Sequence, residues 1–177
     1  MKTLFITVCI LMMALTQLFG QTILDTIKNY TCEIDSLEQN KYLNCGISEG
    51  DILVSNGVGS GGFSLYVNTR KDTKELVLGE YNRTIHYGFE NDSIESPNSI
   101  RFESRFYYME DKLVYVQVET YHYNGDSYYD LMNVELFFIN NNLNLFREYY
   151  SQDLYDFVVQ VDADIRSFYN EINISFK

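Results

Sequence analysis

The stretch Ser99–Val118, SIRFESRFYYMEDKLVYVQV, decides the fold. Ile100, Phe102, Phe106 and Tyr108 share one parity, and Arg101, Glu103 and Arg105 take the other. After Glu110-Asp111-Lys112, the residues Val114, Val116 and Val118 repeat an apolar side against Gln117 and Glu119. Alternation with a period of two marks a strand buried on one face. Met132, Val134, Leu136 and Phe138 repeat it beyond a turn at Asn124-Gly125-Asp126. Consecutive strands of this kind predict an antiparallel meander with one wet face. To set Phe106 and Tyr108 beside Val116 and Val114, the first turn must hold an odd number of residues. A three-residue turn is therefore expected.

Working outward, Phe63 to Thr69 and Glu75 to Tyr81 read as a strand pair joined around Arg70–Thr73. Thr84 to Phe89 reads as a short strand, and Glu90 to Ser99 as a polar surface loop. Ile23, Ile27, Tyr30, Ile34 and Leu37 fall at spacings of four and three, which predicts an amphipathic helix over roughly Thr22 to Gln39. Asn44, Gly46 and Gly50 break that pattern. Leu154, Val158, Val161, Ile165, Phe168 and Ile172 form a second helical stripe, with Ser151 placed to cap it and Asp156, Asp162 and Glu171 on its wet side. The expected class is α+β: an antiparallel β-meander sheet covered on one face by N- and C-terminal helices.

The run Arg105-Phe106-Tyr107-Tyr108-Met109-Glu110-Asp111-Lys112-Leu113-Val114-Tyr115-Val116 resembles the "YYF-turn-KL" hairpin of small, largely uncharacterised exported proteins of Bacteroidota. The turn here is one residue shorter than the usual Asp-Asn-Gly-Lys form. The resemblance implies an extracytoplasmic α+β fold with helices before and after the meander. It implies no catalytic residues.

Met1 to Gly20 reads as an export signal: Lys2 gives a positive start, and Leu4 to Leu15 is apolar except for Thr7. Gln21 stands where a lipoprotein signal needs Cys, so no stable membrane anchor is expected after cleavage. The expected organisation is a signal over 1–20 and one α+β domain over 21–177, secreted or periplasmic. Removing Lys2 takes the formal charge from −12 to −13, because residues 1–20 hold no acid. Such acidity repels nucleic acid and favours a cationic protein partner. The 16% aromatic content and the lone Pro97 exclude a disordered chain.

Cleavage leaves Cys32 and Cys45, an even pair that is a disulfide candidate outside the cytoplasm. Such a bridge contributes about 3 kcal/mol in a loop-closure model. No zinc spacing accompanies them, and no cofactor or metal is expected. Gly57, Gly59 and Gly62 match G-x-G-x-x-G, but an alternating segment follows rather than a helix, so they read as loop glycines. His86 and His122 lack a nucleophile motif nearby.

Tyr107, Tyr115, Tyr121, Tyr123 and Tyr129 share the parity of the polar sheet side with Glu119. Tyrosine combines a stiff apolar ring with a polar tip, which suits a partner-binding surface. The expected function is an exported, non-catalytic binding domain, in its more specific form an inhibitor or immunity-type protein for a basic partner. Its binding residues are expected to be Tyr107, Tyr115, Glu119, Tyr121 and Tyr123. The rival enzymatic reading is a small glycan- or peptidoglycan-directed hydrolase using Glu103 and Glu119 as paired carboxylates. A structural envelope component is a third reading.

Overall fold

The computed structural model describes residues 2–53, 59–87, 98–124, 127–138 and 151–175. Helix α1 (Lys2–Gln39) leads into six strands, β1 (Leu43–Leu53), β2 (Gly59–Arg70), β3 (Leu76–Tyr87), β4 (Asn98–Met109), β5 (Lys112–Asn124) and β6 (Ser127–Phe137). Helix α2 (Gln152–Ser175) follows. The strands lie in chain order β1-β2-β3-β4-β5-β6, each antiparallel to its neighbours. The expected α+β meander with N- and C-terminal helices packed on it is what the structure shows. The polar stretch expected as a loop lies mostly outside the described residues, and the expected short strand at Thr84 is the end of β3.

Helix α2 takes the aliphatic face. Its Leu154, Val158, Val161 and Ile165 are buried against Leu65, Val67, Phe106, Tyr108, Val116 and Val118. Each such side chain contributes about 1.5–3 kcal/mol of burial, an upper estimate. Ser151 Oγ accepts the Leu154 amide at 3.3 Å, the expected N-cap. Asp162 is not on the wet side as expected: it accepts the Tyr108 hydroxyl at 2.8 Å and pairs with Arg166 at 3.1 Å. Gly79 permits this close seating, because a Cβ there would overlap Ile165. Gly46 does the same for Ile172. That explains why β1 escaped the strand pattern: Gly46 and Gly50 are strand residues without side chains, not helix breakers in a loop.

Helix α1 lies on the opposite face, where the sequence reading had placed both helices on one. The reason is two β-bulges at the same end of the sheet. Between β2 and β3, Asn68 pairs with Leu78 and Thr69 with Leu76, leaving Val77 extra. Between β4 and β5, Tyr107 pairs with Tyr115 and Tyr108 with Leu113, leaving Val114 extra. A bulge sets two consecutive residues on one side. Val77 with Leu78, and Val114 with Tyr115, therefore join Tyr107 in a second apolar cluster closed by Ile27 and Ile34 of α1.

The same bulge corrects the expected turn. Met109 pairs with Lys112, so the turn is Glu110-Asp111 alone, with φ of 52° and 59°. Two residues at positive φ form the turn whose twist matches a tight hairpin. The parity swap that a two-residue turn imposes is absorbed by Val114, which moves to the α1 side and restores Phe106 beside Val116.

Candidate functional site

The face that carries the predicted binding residues is built from rows that cross the whole sheet. The row Cys45–Asn68–Leu78–Tyr107–Tyr115–Phe137 lies under α1. Next comes Ile47–Tyr66–Glu80–Arg105–Gln117–Glu135, at the helix margin. Beyond it run Glu49–Ser64–Asn82–Glu103–Glu119–Asn133 and then Asp51–Gly62–Thr84–Arg101–Tyr121. Cross-strand partners share a face, so these rows are continuous.

Tyr107 and Tyr115 are not part of an open surface. They are 1% and 8% exposed, sealed beneath α1. Their ring centroids lie 5.4 Å apart, and Tyr115 lies 4.9 Å from Phe137. The Tyr107 hydroxyl donates to Asp35 at 2.8 Å, and burial holds its pKa far above the ordinary phenol value. Burial likewise raises Tyr115. These two are core residues with a polar tip at the helix interface.

The helix margin holds a cluster the sequence reading missed. Arg105 of β4 pairs with Glu38 of α1, with Asp35 of α1 at 3.3 Å and with Glu80 of β3 at 3.3 Å. Three carboxylates therefore surround one guanidinium. Burial, reinforced by the nearby Glu38 charge and opposed by Arg105, pushes the Glu80 carboxyl up to about 7. Burial, with the Glu80 and Glu38 charges beside it, also raises the Cys45 thiol. The signal was present but split between i, i+3 acids on the helix and single positions on two strands.

Beyond α1, Glu119, Tyr121 and Tyr123 keep the positions expected of them, each partly exposed. The Glu119 carboxylate accepts from Gln117 Nε2 at 2.8 Å, from Asn133 Nδ2 at 3.5 Å and from the Tyr121 hydroxyl. Glu103 lies directly opposite Glu119 and is paired with Arg101. Tyr129 falls outside the described side chains. A shallow depression of about 630 Å³ continues this region toward β1, lined by Glu49, Asp51, Ser64, Tyr66, Asn82 and Arg101. Glu49 and Asp51 escape the sequence pattern because β1 does, whereas Tyr66 lies on β2, within the expected Phe63–Thr69 strand.

Cys32 and Cys45 are not bridged; both thiols are free and exposed. Cys32 lies about half a helical turn from the Ile27–Ile34 stripe, so its side chain leaves the sheet while Cys45 sits on it. His86 aligns with Ser60 and Ser99, whereas His122 aligns with Ile100 on the opposite face, so the two histidines do not converge. Gly59 and Gly62 are strand residues of β2. Among the described residues no group of His, Cys, Asp and Glu is arranged to hold a metal, and no helix is long and apolar enough to cross a membrane. No protein-family model, curated protein or solved structure matches the chain.

Proposed function

We propose that the chain is an exported, non-catalytic binding domain that presents the sheet surface beyond α1 to a cationic protein. The observation that carries this reading is the charge of that surface. Glu49, Asp51, Glu103, Glu119 and Glu135 share it, and Arg101 is tied to Glu103. Arg105, at the helix margin of the same face, is held by α1 and Glu80. A rigid acidic sheet steers a basic partner and speeds encounter. Tyr66, Tyr121 and Tyr123 add amphipathic rings among the charges, the composition of an interface core. An inhibitor or immunity-type role against a basic secreted protein fits these features. Glu103 and Glu119 already spend their oxygens on Arg101, Tyr121, Gln117 and Asn133, which favours binding over paired-carboxylate hydrolysis.

The test compares the protein with a Glu49→Lys/Glu119→Lys variant in capture from envelope and secreted fractions. A basic protein retained by the former at about 0.15 M salt, released at about 0.5 M, and not retained by the variant supports the reading. Equal capture by both, or glycan hydrolysis lost in Glu103→Ala/Glu119→Ala, overturns it. Recovery of a chain beginning at Gln21 outside the cytoplasm tests the export step.

A further inference from the structure

A second surface, on the other side of the molecule's charge balance, has the makings of a peptide site. Strand β1 ends the sheet of described strands, pairing with β2 alone, so its outer backbone edge has no ladder partner among the described residues. Natural edges are protected by lysine, proline or bulges. β1, LNCGISEGDIL, contains neither residue type, and its register with β2 runs without a shift. Its acids, Glu49 and Asp51, guard only the second half. Within the uncharged first half, Leu43 to Ile47 border a groove of about 670 Å³ against the C-terminal turns of α2.

The groove has an apolar floor and a cationic end. Val67, Phe168 and Ile172 line it beside Gly46, whose missing side chain keeps the strand close to the helix. Ile47 on the same strand is 56% exposed. Lys71 and Lys74 line the groove from the β2–β3 turn. Lys71 Nζ donates to the Lys41 carbonyl at 2.8 Å, which brings its charge across the start of β1. Neither lysine forms an ion pair among the described residues, in a chain whose formal charge is −12.

We infer that this edge and groove take the C-terminal tail of a partner polypeptide, added as a seventh antiparallel strand with its terminal carboxylate at Lys71 and Lys74. The direction follows from the fold. A strand antiparallel to β1 carries its own C-terminus to the Leu43 end, where the lysines stand. Main-chain hydrogen bonds to the free edge supply affinity, and alternate side chains enter the groove. An acyl amphiphile satisfies the floor and the charges but leaves the edge unpaired. A tail with apolar residues at alternate positions and a free carboxylate satisfies all three. The site is separate from the acidic face, so failure of one reading leaves the other standing.

The experiment uses a fluorescently labelled hexapeptide of alternating threonine and valine with a free C-terminal carboxylate, and its amide twin. Fluorescence anisotropy is expected to show the carboxylate form binding about ten-fold or more tightly, a preference that shrinks with salt and vanishes in Lys71→Ala/Lys74→Ala. Hydrogen exchange is expected to show protection gained by the backbone amides of residues 43–48. The amide twin tests the charge requirement without any variant. Three results overturn the inference: no binding by either peptide, equal affinity of the two, or dodecanoate binding in their place with no change in β1 exchange. A free protein that already dimerises through a protected β1 edge overturns it as well.

Discussion

Glu80→Gln isolates the polar cluster that ties α1 to the sheet. Glu80 is pushed up to about 7, first by burial and then by the Glu38 charge. An acid raised in the folded state binds its proton more tightly there than in the unfolded chain, whose value is near 4.5. Its stabilising contribution is therefore complete at pH below about 4.5 and is lost as pH rises through about 7. At about 1.36 kcal/mol per unit, the full shift corresponds to about 3 kcal/mol. The Glu80 side chain retains 23% exposure, and Arg105 lies 3.3 Å away, so solvent screening and pairing reduce this. About 1–2 kcal/mol is expected. Glutamine copies the protonated acid at every pH. Urea unfolding between pH 5 and 9 should then show the variant close to the parent at pH 5 and about 1–2 kcal/mol more stable at pH 8.5, with unchanged m. In thermal scans the gain is about 2–8 °C for a domain of this size. A variant that loses stability at pH 8.5, or runs parallel to the parent across the range, refutes the reasoning, because Glu80 would then serve as a net favourable partner of Arg105.

Tyr107→Phe removes the hydroxyl that donates to Asp35 at 2.8 Å, and should lower unfolding free energy by about 1–2 kcal/mol while leaving the fold intact by circular dichroism. Replacing Glu110-Asp111, both at positive φ, by Asn-Gly should raise stability by about 0.5–1 kcal/mol; a loss would show that the turn is not of the tight two-residue kind. Gly79→Ala drives a Cβ into Ile165 and should destabilise by about 1–3 kcal/mol, and trimming in Gly79→Ala/Ile165→Val should restore part of it. Both cysteines should react with maleimide in the native protein, Cys45 more slowly near neutral pH because burial and the Glu80 and Glu38 charges raise its thiol.

The order of elements and the apolar stripes of both helices could be read directly, since Ile27, Ile34, Val158 and Ile165 repeat at helical spacing and pack where that spacing points. What could not be read was the allotment of faces. A strand pattern assumes that parity persists along each strand, and Val77 and Val114 break it by one residue each. The trace of this was the consecutive apolar run after each turn, Leu76-Val77-Leu78 and Leu113-Val114-Tyr115, where alternation alone would give every second residue. Two of the five expected binding residues went with it: Tyr107 and Tyr115 became core, whereas Glu119, Tyr121 and Tyr123, nearer the other end of the strands, stayed on the partly open face. The Cys32–Cys45 bridge failed for a different reason. Sequence separation and compartment permit a disulfide, but only the helix rotation that faces Ile34 inward decides where Cys32 points.

The bulges also explain how the acidic surface comes to be left acidic. By setting Val77, Leu78, Val114 and Tyr115 together at one end, they create an apolar patch that needs a cover, and α1 supplies it with Ile27 and Ile34. That cover is narrow, so α1 is further secured by Glu33 on Arg70 and by Asp35 and Glu38 on Arg105. Securing the helix in this way engages Arg105, the one arginine in its row, with carboxylates from α1 and β3. Glu119 and Glu135, in the neighbouring positions across the sheet, receive no cation from it among the described ion pairs. The same interaction that docks the helix thus withholds neutralising charge from the adjoining rows. On the proposed function, freeing Arg105 from Asp35 and Glu38 of α1 would leave it with Glu80 alone and make its charge available to those acids. Docking of α1 and binding of a cationic partner should therefore strengthen each other, as linkage requires of two events that favour one arrangement of a shared group.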